Sequence, residues 1–298
     1  MDFQPTEDQR DLRAGVRDLL AGRYGREALR ASVDAGAGVD RALWRELGEA
    51  GFFALRLPES EGGVGLGLPE AVLVFEEAGR ALVPGPLVAT HLAAGVVPGA
   101  AAGAAVVSAF DLGGPLVTHL GEADAVLGAA VVPAGEPVAS VDPLTPLHRV
   151  AAVGDVSAYR EAGALLTAAL QLGSALRTVE LAVRYAGDRE QFGQPIGAFQ
   201  AVKHLAAQML VRAEVARTAV YAAAVTGDPG EVAAAKLLAD GAAVRNARDC
   251  LQVHGGMGFT WEADVHLHLK RAWVRAEQWR TAAQAEELLA RELLDAAG

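Results

Sequence analysis

The chain has 298 residues, 52% hydrophobic and 21% charged, with 26 Lys+Arg against 37 Asp+Glu for a formal net charge of −11. This much apolar surface excludes global disorder, since its burial offsets the entropy of ordering, and the length suffices for one large core or two ordinary ones. The acidic balance excludes sequence-independent nucleic-acid binding, which needs a basic surface to displace counterions, while a few local Arg or Lys can still hold a small anion. Cys250 is the single cysteine, so no intrachain disulfide and no cysteine metal site can form, and a cytoplasmic setting is expected.

Met1-Asp2-Phe3-Gln4-Pro5 lacks the basic stretch and apolar run of a signal peptide. Ala81–Phe110 carries no formal charge, but Pro84, Pro86, Pro98 and several glycines interrupt it, which argues against a membrane span.

Thr6-Glu7-Asp8-Gln9 reads as a capping box, and Leu12, Val16, Leu19 and Leu20 then follow one helical stripe. Asp40 is placed to cap a second helix that buries Leu43, Trp44 and Leu47. A glycine-rich loop, Pro58–Gly65, leads to a helix with Pro69 in its first turn and an end near Leu82. Between about 86 and 157, short runs such as Ala104–Phe110, Ala125–Val132 and Leu147–Val153 are bounded by Gly, Pro and Asp. They read as a small β region of four or five strands. From Tyr159 the pattern is helical, broken at Gly193-Gln194-Pro195 and Gly227–Gly230, and at Gly255-Gly256 after a helix ending at His254. A last helical stretch is expected from about Ala263 to Ala296. Long helices joined by short turns indicate an up-down bundle. The expected fold is mainly α with a small β insert, divided as a helical domain (1–86), a shortened β-domain (87–157) and a C-terminal four-helix bundle (158–298).

Two polar clusters stand out. In Arg189-Glu190-Gln191-Phe192-Gly193-Gln194-Pro195-Ile196, followed by Phe199-Gln200, an Arg fork, an aromatic face and an amide flank a turn, which suits a ligand site or merely a helix corner. In Gln252-Val253-His254-Gly255-Gly256-Met257-Gly258-Phe259, the glycines permit close backbone approach to a ligand, as any glycine-capped helix end does. The second is no dinucleotide fingerprint, because no strand precedes it. His266 and His268 are i, i+2 on a helix and do not face each other, so no metal site is expected.

Taken together, these clusters resemble the C-terminal signature of the acyl-CoA dehydrogenase family. Trp44-x-x-Leu47-x-x-x-Gly51, Leu57-Pro58-Glu59-x-x-Gly62-Gly63-x-Gly65 and Glu76-Glu77-x-Gly79-Arg80-x-Leu82-x-Pro84-x-Pro86 agree with it in order. The resemblance implies a flavoprotein with FAD at a subunit interface. It assigns Arg189, Phe192, Gln200, Gln252, Gly255 and Gly256 to the FAD of the neighbouring subunit.

Two departures matter. The β-domain is short and lacks the segment that covers the flavin ring in the family. The family's catalytic carboxylate is also missing: one usual position falls at about Arg280, within Glu277-Gln278-Trp279-Arg280-Thr281, and the alternative falls near Gly163. Glu277 and Glu161 are the nearest substitutes and Glu262 a weaker one, but two residues along a helix turn Glu161 away from the Gly163 face.

The chain therefore resembles the small partner-type subunit of heteromeric α2β2 acyl-CoA dehydrogenases, some of which act on steroid side-chain thioesters. That resemblance implies a full-length homologue as partner, an acyl-CoA as substrate and an electron-transfer flavoprotein as acceptor. Two alternatives stay open: a self-sufficient homomer using Glu277 or Glu161, and a flavin-free helical scaffold.

Overall fold

The structure is a computed structural model describing residues 5–36 and 38–297; Met1–Gln4, on which most of the signal-peptide reading rests, lie outside the described residues. Helix α1 (Glu7–Arg23) begins at the expected capping box, with Gln9 N–H donating to Thr6 Oγ1 at 3.2 Å and Thr6 N–H donating to Gln9 Oε1 at 3.0 Å. A helix not expected from the sequence follows, α2 (Arg26–Asp34). Asp40 caps α3 (Arg41–Glu49) by accepting from the Ala42 and Leu43 N–H groups. The buried helix α4 (Leu68–Ala81) ends at a left-handed Leu82, and the short α5 (Leu87–Leu92) comes after it. Helix α5 lies inside the segment expected to be β; buried along almost its whole length, it closes its backbone hydrogen bonds internally, and its Thr90 side chain bonds the main chain of Val107.

Five short strands follow: β1 (Val107–Ala109), β2 (Leu116–Thr118), β3 (Ala125–Leu127), β4 (Gly135–Val138) and β5 (Leu147–Val150). β1 pairs parallel with β3, and β2-β5-β4 form an antiparallel sheet. The remainder is helical: α6 (Arg160–Asp188), α7 (Gln200–Thr226), α8 (Pro229–His254), α9 (Val265–Glu277) and α10 (Ala282–Ala297). A two-stranded hairpin, β6 (Glu190–Gln191) with β7 (Gln194–Pro195), joins α6 to α7. The single stretch expected from 263 to 296 is thus two helices, because the chain turns sharply at Trp279, whose φ is +62°.

Helix α6 is buried along most of its length and packs on α4 through reciprocal glycines. A Cβ on Gly79 would lie 2.1 Å from Leu170 O, and one on Gly173 would lie 1.9 Å from Glu76 O. Larger side chains would force these helices apart. Inside the bundle, Lys236 of α8 donates to Asp240 at 2.5 Å and to Arg275 O at 3.1 Å, and Gln171 of α6 donates to Asp240 at 3.0 Å. The buried Arg271 of α9 pairs with Asp142 and donates to Val83 O at 3.2 Å and to Leu144 O at 3.0 Å. One guanidinium thereby ties the bundle to both the N-terminal helices and the strand region, and its donors leave little buried charge uncompensated.

Candidate functional site

The two polar clusters meet at one end of the bundle. Helices α6 and α8 run in the same direction: Gln171 faces Asp240, and further along the Tyr185 ring stacks on His254 at 4.1 Å between centroids. The end of α6 therefore brings Arg189 beside the end of α8, which carries Gln252 and leads into Gly255 and Gly256. The hairpin then returns the chain to the start of α7 at Gln200.

Arg189, Phe192, Gln200, Gln252 and Gly256 are exposed and Gly255 is half-buried. Phe192 and Gly193 form the two-residue hairpin turn with φ of +54° and +75°. Such a turn favours Asn-Gly, and a phenylalanine held left-handed carries roughly 1 kcal/mol of strain. Its side chain is nevertheless 92% exposed, touching Phe199 edge-on at 6.1 Å between centroids. The fold thus holds an aromatic ring out to solvent at a conformational cost, as surfaces built for a ligand or partner do. Phe259 and Trp261 are exposed on the adjoining segment.

The donor set at this end fits a dinucleotide diphosphate. Arg189 makes no side-chain hydrogen bond or ion pair among the described residues, no side chain caps α7, and a Cβ on Gly255 or Gly256 would meet nothing within 4 Å. A free guanidinium fork, an open helix N-terminus and unobstructed main chain are what phosphate oxygens require.

At the positions where the resemblance would put a base, the molecule is closed. Trp279 is 5% exposed and lies flat on α6 at Gly163, where a Cβ would come within 2.2 Å of the ring. Its main-chain N–H donates to Asp111 O at 2.5 Å. Arg280 folds back to pair with Glu161 and donates to Pro229 O at 3.4 Å. The cavity remaining between α5, the strands and α9 measures about 30 Å³, room for one water. Of the substitute carboxylates, Glu161 is held by Arg280, Glu277 is exposed at the end of α9, and Glu262 is exposed while its main-chain oxygen accepts from Arg26. These carboxylates do not converge on one point. His268 is buried against Ser174 at 2.8 Å and His266 stacks on Trp261, so the two rings point to different surroundings.

Asp111, which the sequence reading did not single out, lines the small cavity. Burial pushes its carboxyl up to about 7, against a hydrogen bond from Gln278 at 2.8 Å. An isolated aspartate in a Phe-Asp-Leu turn carries no sequence signal for this.

Comparison with known proteins agrees with the geometry. Residues 6–105 match the model of the acyl-CoA dehydrogenase N-terminal domain and residues 161–287 that of the C-terminal domain. The acyl-CoA dehydrogenase IpdE2 of Mycobacterium tuberculosis is 38% identical over 90% of this chain and 92% of its own. FadE34, an acyl-CoA dehydrogenase of the same organism, is 35% identical over 96% of this chain but 47% of its own length. Among solved structures, a chain of the ChsE4–ChsE5 complex from Mycobacterium tuberculosis superposes with a TM-score of 0.85 at 25% identity, covering 99% of each chain. The chain belongs to the acyl-CoA dehydrogenase family, whose cofactor is FAD.

Proposed function

We propose that this chain is one subunit of a heteromeric, FAD-dependent acyl-CoA dehydrogenase that introduces an α,β double bond into an acyl-CoA thioester. In this reading it supplies part of the flavin site, and a full-length homologue supplies the catalytic base and the contacts to the flavin ring. One observation carries the proposal: Trp279 covers Gly163 and Arg280 binds Glu161, while the surface bearing Arg189 and Gln252 is open and exposed. A self-contained enzyme would need the reverse at the first of these places. FadE34 supports pairing, since the region matching this chain makes up 47% of that protein's length. The structural neighbour from the ChsE4–ChsE5 complex supports it too.

FAD, when bound, accepts the hydride leaving the β-carbon as a carboxylate takes the α-proton. Arg189 would hold the diphosphate by charge-assisted hydrogen bonds, Gln200 and Gln252 would donate or accept at its polar edges, and Phe192 would cover an aromatic face. Gly255 and Gly256 would admit main-chain contact, which a Cβ on either would obstruct. Trp279 and Arg280 leave no room for an acyl chain in this chain's own pocket. A solved steroid acyl-CoA dehydrogenase shares the fold at 23% identity, and a bulky steroid-type thioester is part of the proposal. So are a cytoplasmic location, an electron-transfer flavoprotein as acceptor, and the division at 86 and 157. Among the described residues no helix is long and apolar enough to cross a membrane.

The test is flavin absorbance and native mass of the chain purified alone and co-expressed with a full-length homologue from its genomic neighbourhood. Flavin that appears with the homologue, in a complex of both chains, is the expected result. Stoichiometric flavin and turnover on the chain alone would refute the split site.

A further inference from the structure

A second, larger concavity opens beside α6, with Arg184, about one and a half helical turns before Arg189, in its lining. Helices α1, α2, α4, α6 and α9 enclose an open cleft of about 530 Å³, and none of the six candidate flavin residues lines it. Cavities of this size take drug-sized ligands. On α6, Arg177, Leu181 and Arg184 fall at i, i+4 and i+7, and on α1, Arg17, Leu20 and Tyr24 fall at i, i+3 and i+7. Each helix thus turns one mixed stripe of cationic and apolar residues toward the same space.

The charges sort into those already satisfied and those left over. Five arginines line the cleft against the two carboxylates Glu77 and Asp264. Glu77 accepts from Arg17 at 2.6 and 2.8 Å and lies 3.3 Å from Arg80, and Asp264 is shared by Arg26 and Arg30 at 2.6 Å each. Arg80 and Arg177 also share Glu180, at 2.6 and 3.1 Å. Arg184 forms no ion pair or side-chain hydrogen bond among the described residues and is exposed to the cleft. The Tyr24 ring lines the cleft and is 5% exposed, while its hydroxyl is buried beside Ser32, whose own hydroxyl donates to Ala28 O at 3.0 Å. The apolar lining is Leu20, Leu29, Leu82 and Leu181.

We propose that this cleft binds a small amphipathic anion, one carboxylate or phosphate headgroup on an apolar body. Arg184 is the group left to hold the headgroup, and the leucines and the Tyr24 ring receive the body. A polyanion fits less well, because the other guanidiniums are already matched to internal carboxylates. On a chain of net charge −11, this local surplus of arginine is where such an anion would concentrate.

The test is calorimetric titration of the assembled complex with dodecanoate, dodecyl phosphate and inorganic phosphate. Saturable binding of at least one amphiphile, near one per copy of this chain, is expected, with inorganic phosphate at least about 100-fold weaker; the tighter amphiphile identifies the headgroup. Arg184→Ala should weaken it about 10-fold or more, and Arg184→Lys should recover part of the loss. Arg184 is exposed and unpaired, so its removal leaves folding and flavin content intact, as circular dichroism and absorbance will report. The proposal is overturned if neither amphiphile binds, if inorganic phosphate binds as tightly, or if binding is indifferent to Arg184→Ala.

Discussion

Gly163→Ala tests the contact that closes the acyl pocket. The added Cβ would stand 2.2 Å from Cδ2 and 2.4 Å from Cε3 of Trp279. The indole cannot swing away freely, because it is 5% exposed and its main chain is anchored to Asp111. Forcing a methyl into such a contact costs about 1–3 kcal/mol. Replacing glycine by alanine within a helix returns up to about 1 kcal/mol, so the net loss should be about 1 kcal/mol. Trp279→Ala alone should cost about 3–5 kcal/mol through the lost ring and the cavity left behind. In that background the same Gly163→Ala meets no ring and should stabilise by up to about 1 kcal/mol. The sign reversal, a coupling of about 2 kcal/mol, is read from urea unfolding of the four proteins followed by far-ultraviolet circular dichroism. If Gly163→Ala stabilises both backgrounds equally, the ring does not occupy this place and the closed-pocket argument fails.

Arg189→Ala should leave the fold intact and weaken flavin retention by the assembled complex about 10- to 100-fold, the worth of a charge-assisted hydrogen bond; gel filtration with flavin absorbance reads this, and unchanged retention would remove Arg189 from the site. Glu161→Gln and Glu277→Gln should each leave turnover of the complex within about two-fold; abolished turnover in either would make that residue the base and favour the homomer. Asp111 has its carboxyl raised from 3.8 to about 7, so the folded state keeps a proton the unfolded chain has lost. Stability should therefore fall as pH rises from about 4 to about 7 and level off above, by at most about 4 kcal/mol. Asp111→Asn should flatten that slope in Tm measured across the range, and an unchanged slope would assign it elsewhere. Phe192→Gly should relieve about 1 kcal/mol of left-handed strain in the isolated chain while weakening assembly with the partner, as paired unfolding and native-mass measurements would show.

Local chemistry made much of the architecture legible from the sequence. Thr6 and Gln9 close their capping box, Asp40 caps α3, and α8 ends at His254 just before its glycines. Strands β2 and β4 were less visible because they lie outside the longer apolar runs that hold β1, β3 and β5, β4 being a largely exposed Gly-Glu-Pro-Val, and α2 because no side chain caps it. At the site, the two motifs were readable as motifs; their meeting depends on Tyr185 and His254, separated by most of two helices. The closure of the pocket had no sequence signature. Trp279 adopts a left-handed backbone that tryptophan seldom takes, and Arg280 finds Glu161 across 119 positions of chain.

The Trp279–Arg280 turn also sets a barrier to evolutionary reversal. Converting Arg280 to a carboxylate would place it beside Glu161 with no cation between them, and mutual repulsion would work against the turn. Trp279 would still cover Gly163, so the restored acid would face an indole instead of a thioester. Regaining independent chemistry thus requires the ring to shrink, the acid to appear and Glu161 to change together, each step alone costing stability and returning no turnover. On the proposed split-site reading, the packing of this turn holds the chain in a division of labour, and selection is left to act on the surface it would share with a partner.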